Sequence, residues 1–353
     1  MIWGIFLFWS LQSSLNLKAL NKYWLLSFIC ILGFATSLVA LFNPVISLRL
    51  PAGSLIYSAL SNIPSASELA KINPNEIGGI LAWCIPISFG FAIAFFQQNS
   101  SLKFDNKNQR YFLMTLFLAP LLPMMTVLFL ASSRSALGGV ILASGLIIWL
   151  MNENGRSKII LSGVGILALS LLVILFLDES SGLQPVLVDL VEPFTGESDN
   201  DVSGNTTLSV RAEIWSRALD GIYDFPVTGM GINTFREVVH TVYPMFLVPQ
   251  DVDIAHAHNQ FLQVALDLGI PGLIFYVGIL MLTFVFLVKC WSFSHHDENH
   301  KMAVAGVAGA FLASLVYGLA DAIALGAVPS FVFWLLLAVT AALYKDKATY
   351  SRA

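Results

Sequence analysis

The chain has 353 residues, of which 57% are hydrophobic and 11% charged. Soluble domains carry roughly 25% charged residues, so this composition excludes an ordinary soluble protein and predicts an integral membrane one. The formal net charge of -4 and the absence of any Lys/Arg-rich run exclude nucleic acid as a partner. Cys30, Cys84 and Cys290 lie in or beside apolar segments without CxxC or Cys/His spacing, which predicts neither disulfides nor a zinc site.

Residues 1–11 are apolar but lack the basic start and small-residue cleavage site of a signal peptide, and they are too short to span a bilayer alone. Stretches near the 20 or so apolar residues that a span needs follow at 23–43, 77–96, 111–131, 135–151, 158–177, 269–290, 302–324 and 329–344. The expected fold is all-α: a polytopic transmembrane helix bundle of about 8–9 spans with a large, partly helical periplasmic loop. Three parts follow: N-terminal transmembrane helices over 1–177, the loop over 178–256, and an interfacial helix with C-terminal transmembrane helices over 257–353. No internal repeat is evident.

Basic residues set the orientation, because Lys and Arg collect in cytoplasmic loops. With the first hydrophobic piece running inward, twelve of the 18 Lys and Arg fall inside. Arg49, Lys71, Arg134, Arg211, Arg217 and Arg236 are left outside, and so are both long loops, 44–76 and 178–256. The longer loop is acidic in its first third, so its arginines stand out.

Four polar features need an explanation. In "KINPNEIGG", Asn73-Pro74 predicts a helix start with Glu76 against its positive end; Asn75 or Glu76 lining an outer polar cavity is the functional alternative. In "SSRSALGG", Arg134 is either a snorkelling arginine in a tight turn or an anion ligand among small residues that let backbones approach. The loop segment "LSVRAEIWSRALDGIYDFPVTGMGINTF" predicts a helix capped by Ser209 and ended by Asp224-Phe-Pro and Gly229-Met-Gly231. Its apolar face would be Ile214, Ala218, Leu219 and Ile222, the pattern of a helix lying at an interface.

The fourth feature, "AHAHNQFLQVALDLGIPG", starts at residue 255. At 100° per residue, His256, Asn259, Gln260, Gln263 and Asp267 share one face of a continuous helix. His258 points away from that stripe unless it or Asn259 is the cap. Gly269-Ile-Pro271-Gly272 predicts a break with a span restarting at Pro271. A water-facing helix explains the histidines without function, but histidine is also the side chain best poised for proton transfer near neutral pH.

Taken together, these residues resemble the O-antigen ligase and polymerase family of membrane glycosyltransferases. The signature His, then Asn/Ser/Gln, nine residues and GxxG stands here as His258-Asn259 and Gly269-Ile-Pro-Gly272. The "NPNEIGG", "SSRSA" and "VRAEIWSRAL…FPVTGMGINTF" stretches occur in the family's order, so the resemblance covers about residues 70 to 345. It implies glycan transfer from a polyprenyl (undecaprenyl) diphosphate carrier to an acceptor hydroxyl of lipid A core or another glycan. That reaction takes place at the periplasmic face of the inner membrane, among membrane lipid, with no cofactor and no metal. It further implies His258 as catalytic base and Arg134, Arg211 and Arg217 as diphosphate ligands. Asn259, His256, Asn75, Gly269 and Gly272 are supporting residues. Family members carry several more spans ahead of residue 1, so the chain either begins late or dispenses with them.

A ligase and a polymerase fit these residues alike. A small-solute transporter of the bicarbonate type needs ionisable groups in mid-span, whereas the spans here are nearly bare and Asp321, the main exception, sits close to an outer end. A noncatalytic scaffold for polysaccharide assembly is the remaining alternative.

Overall fold

A computed structural model describes residues 2–16, 22–50, 53–61, 63, 72–96, 115, 117–152, 207–294, 298–325 and 327–350. Among them there is no strand, and five helices are long and apolar enough to cross a membrane. The expected stretches at 23–43, 77–96, 135–151, 269–290 and 302–324 correspond to these five. Of 111–131, a short helix at Leu121–Leu130 is described, and 329–344 falls in an apolar helix starting at Phe331. The stretch 158–177 lies outside the described residues.

In chain order the helices are α1 (Ile2–Asn16), α2 (Lys22–Val39), α3 (Pro44–Ser47), α4 (Gly53–Ser61), α5 (Pro74–Phe96) and α6 (Leu121–Leu130). They continue as α7 (Arg134–Met151), α8 (Thr207–Asp224), α9 (Thr234–Val242), α10 (Gln260–Phe293), α11 (Glu298–Gly318) and α12 (Phe331–Tyr350). At the centre α11 packs on α5 and α7. Small residues allow this: a Cβ on Gly139 would meet the backbone oxygen of Ala313 at 2.6 Å, and one on Gly306 would meet Ile87 Cα at 3.1 Å. Such close approach is how helices gain van der Waals contact where lipid removes the hydrophobic difference between them.

A second, smaller core belongs to α8, α9 and the segment after them. Ile214, Ala218, Phe235, Val239, Ile254, Ala257 and Leu266 are buried together there. The sequence reading of α8 is corrected in two places. The helix already runs from Thr207, so Ser209 lies inside it rather than capping it. Leu219 is exposed, because it stands about 140° round the helix from Ile214 at 100° per residue. The buried face meets α9 and α10, not a lipid interface.

The two cores are joined at a break in α10. Asn259 caps the helix, its side-chain oxygen accepting the N–H groups of Phe261 and Leu262. Gly269 then departs from helical geometry, with φ 72° and ψ 179°. In an unbroken helix the Ile270 N–H would donate to the Leu266 carbonyl. Here the Ile270 N–H donates instead to Pro226 O at 2.7 Å, and Leu266 O accepts from Met230 N at 2.6 Å. The Pro226–Met230 turn therefore completes both groups left by the break. Pro271, which has no N–H, tolerates the same place.

Only glycine adopts the Gly269 conformation readily, and a Cβ there would strike the Val227 carbonyl. A Cβ on Gly272 would strike the Leu268 side chain one turn back. Gly269→Ala should therefore destabilise the protein by about 1–3 kcal/mol, read as a lower melting temperature in detergent. A conservative change at exposed Ile270 should leave it unmoved.

Candidate functional site

The segment before α10 alternates between core and site. Ile254 and Ala257 are buried in the smaller core, while His256 and His258 on either side of Ala257 turn the other way. The chain bends at both histidines, with His258 at a left-handed φ of 46°. The strap is held by its neighbours: Ala257 N–H donates to Gln263 Oε1 at 2.9 Å, and the Trp215 indole donates to His258 O at 3.3 Å. Gln263 donates on to Asp267 at 2.9 Å. Gln260, Gln263 and Asp267 are thus buried, and the polar stripe read from the sequence faces protein rather than water.

Both imidazoles meet Asp321. His256 Nε2 lies 3.5 Å and His258 Nδ1 3.3 Å from the same oxygen, Oδ1, and the side chain of Asp321 is 1% exposed. Asp321 follows α11, which ends at Gly318, short of the expected 324. Tyr317 O accepts the Asp321 N–H at 2.9 Å, and Gln260 Oε1 accepts the Ile323 N–H at 2.9 Å. Asn259 Nδ2 donates to Leu319 O at 3.0 Å. The chain after α11 is therefore stitched to the start of α10, and the acid is placed under the histidines.

The ring tautomers follow from these contacts. His256 Nδ1 accepts the His258 backbone N–H at 3.2 Å, so a neutral His256 carries its proton on Nε2, toward Asp321. The His258 Nδ1 contact is oblique for a hydrogen bond, but its charge complement is Asp321, and Nε2 makes no hydrogen bond among the described residues. Burial pushes the Asp321 carboxyl up, but the two histidines that face it and the Ala322 N–H outweigh it and hold the group below its ordinary value. Burial lowers His256 to about 4; Asp321 opposes this, while His258, Arg211 and Arg236 reinforce it.

The other sequence-nominated residues divide. Arg211 lies one turn from Trp215 on α8, and its charge acts on His256 and Tyr317. Arg217 pairs with Asp220 at 3.1 Å and stacks over Phe246. Arg134 is exposed at the start of α7 and makes no hydrogen bond or ion pair among the described residues. The preceding turn is held by Arg49, which donates to Leu130 O and Ser132 Oγ, each at 2.6 Å. Asn75 follows Asn73, whose side chain accepts the Asn75 N–H at 2.8 Å, and it is Glu76 that interacts with Asp321.

The sequence reading missed Asp321 as a site residue, and with it Tyr317 and Trp215. The one available signal was an acid on the edge of an apolar stretch, where an isolated charge is costly without a partner. Tyr317 packs on Gly79 near the start of α5, and its hydroxyl is buried without a hydrogen-bond partner among the described residues. The donor atoms of His256, His258 and Asp321 lie within 4.8 Å of one another, a spacing that one metal ion or two N–H donors could occupy.

Fold and site together define a multi-pass helical membrane protein in which a small second core presents two histidines to a buried carboxylate at the end of a span. Residues 119–277 match the sequence model of the family described as O-antigen ligase. The match takes in Arg134, Arg211, Arg217 and both histidines but stops before Asp321. An uncharacterized protein of Haemophilus influenzae is 24% identical over 225 residues, covering 62% of this chain and 54% of that relative. The matched stretch thus spans about half the length of that relative.

The titration of His256 makes a stability prediction. Its folded value of about 4 lies below the ordinary 6.5, so between these pH values the unfolded chain binds a proton that the folded ring refuses. Stability is therefore lost as pH falls from about 6.5 to about 4, by on the order of 3 kcal/mol. Melting temperatures across that window should fall for the wild type, and His256→Gln should flatten the slope.

Proposed function

We propose that the protein transfers a glycan from a polyprenyl diphosphate carrier to an acceptor hydroxyl, at the periplasmic face of the inner membrane. The observation that carries this reading is the pairing of His258 with buried Asp321 beside Arg211, with His258 and Arg211 inside the O-antigen ligase stretch. Asp321 attracts the Nδ1–H of His258, leaving Nε2 to take the proton of the attacking hydroxyl. The acceptor oxygen bonds to the sugar's anomeric carbon as the bond from that carbon to the diphosphate oxygen breaks, and the electron pair leaves with the diphosphate.

Arg211 offsets the charge that grows on the leaving diphosphate. Arg134, exposed and without an intramolecular partner among the described residues, is suited to join it. Arg217 serves less directly, because Asp220 already holds it. His256 takes a positioning role: its low proton affinity keeps it neutral, and its Nδ1 holds the His258 backbone. Asn259 caps the helix that carries the strap, and Gly269 and Gly272 form the break that locates it. The acceptor is lipid A core or a growing glycan, which makes the protein a ligase or, alternatively, a polymerase.

The reaction on this reading requires no metal, since arginine supplies the charge that a divalent ion would. Transfer from a polyprenyl-diphosphate-linked glycan, assayed with the full chain in lipid nanodiscs, tests both parts. His258→Ala should cost about 10²–10⁴-fold in rate, whereas His256→Ala should retain measurable transfer. Full activity in His258→Ala would sink the base assignment. Chelation with EDTA should leave the rate unchanged, and a loss restored by a divalent cation would instead make the two histidines and Asp321 metal ligands.

A further inference from the structure

The smaller core buries the apolar face of α8 and yet leaves apolar residues uncovered at one end. Leu219 and Tyr223, one helical turn apart, are 56% and 85% exposed. Phe225 and Val227, in the turn that follows, are 44% and 69% exposed. The acids between them are engaged: Asp220 by Arg217 at 3.1 Å, and Asp224 by the Tyr243 hydroxyl at 2.8 Å. The one hydroxyl of the turn, Thr228, donates to Gly229 O at 3.0 Å. This end of α8 therefore presents ring and aliphatic surface beside two exposed carboxylates that already have partners.

Its position is fixed by the break in α10. The Pro226 carbonyl takes the Ile270 N–H and the Met230 N–H takes the Leu266 carbonyl, so the turn is bonded to the first residues of the span proper. From that point α10 is exposed and apolar along one side, through Ile270, Ile274, Phe275, Met281 and Phe284. In a span this is a lipid-facing surface. The uncovered end of α8 meets the span at the Gly269 break, and tyrosine and other amphipathic rings gather where spans leave a bilayer.

We propose that Leu219, Tyr223, Phe225 and Val227 form a lipid-embedded foot, seated in the headgroup and upper acyl region of the bilayer beside the Gly269 end of α10. Bulk bilayer lipid is the occupant, because the turn that carries the patch is bonded through backbone groups to the first residues of a span whose apolar side chains are exposed. The foot sets the depth of the smaller core in the membrane, and with it the height of the His256-Ala257-His258 strap. This inference is independent of the glycan chemistry proposed above.

The test uses the full chain in nanodiscs, with bimane attached to Val227→Cys. The native cysteines are fully buried and do not compete for label. Phe246→Cys serves as the exposed comparison, since Phe246 packs near Arg217 and Glu213 on a different part of α8. Lipids brominated near the top of the acyl chain should roughly halve emission at position 227 and leave 246 unchanged, while aqueous iodide should do the reverse. Iodide quenching at 227 without bromolipid quenching overturns the proposal, because the patch then faces water. Protection from both quenchers also overturns it, because protein then covers the patch. Tyr223→Cys repeats the measurement on helix rather than turn.

Discussion

A carboxylate removed from water is tolerated only where charge or hydrogen bonds replace its hydration, and Asp321 is such a group. Its side chain sits at the end of α11 with both histidines on one oxygen and the Ala322 N–H beside it. Meeting that requirement ties together parts of the chain that share no local sequence logic. The strap must approach the end of α11, which requires Ala257 to face the smaller core. The smaller core must dock on α10, which requires the break at Gly269. The site is therefore a consequence of how one buried charge is accommodated between two hydrophobic cores.

The arrangement has opposite mechanical demands on its two sides. On the bundle side, α5, α7 and α11 approach through small residues, so the end of α11 is held by close backbone contact. On the other side, the strap is held by side chains: Gln263 on Ala257, Trp215 on His258, and Asn259 on Leu319. Replacing Gln263 leaves the buried Ala257 N–H without its acceptor in a place poor in water. The histidines are set by a hydrogen-bonded layer resting on a packed one.

What the sequence made legible follows the range of the interaction. The helix break at Gly269-Ile-Pro-Gly and the escape of His258 from the helical stripe are local: Gly269 and Pro271 account for the first and Asn259 as the cap for the second. The spans were legible from composition, because backbone satisfaction in lipid leaves helices little competition. The partnership of His258 with Asp321 is separated by a whole span and its return, and no periodicity reports it. Arg211 and Arg217 look equivalent in sequence, yet they lie on different sides of α8 and only Arg211 interacts with His256. Leu219 was misassigned for a similar reason: one helix turn decides between core and exterior, and a short motif contains residues of both.

His258 is one of three non-glycine residues with positive φ among those described, at 46°. Glycine would adopt that backbone at no steric cost, while a residue with a Cβ gives up roughly 1 kcal/mol there. Removing the imidazole in favour of glycine would thus relax the backbone at the same position where it deletes the free ring nitrogen. Against that gain stands Asp321, whose buried carboxylate would lose one of the two imidazoles that face it. The strained backbone at His258 is thus held in place by the buried charge that its ring faces.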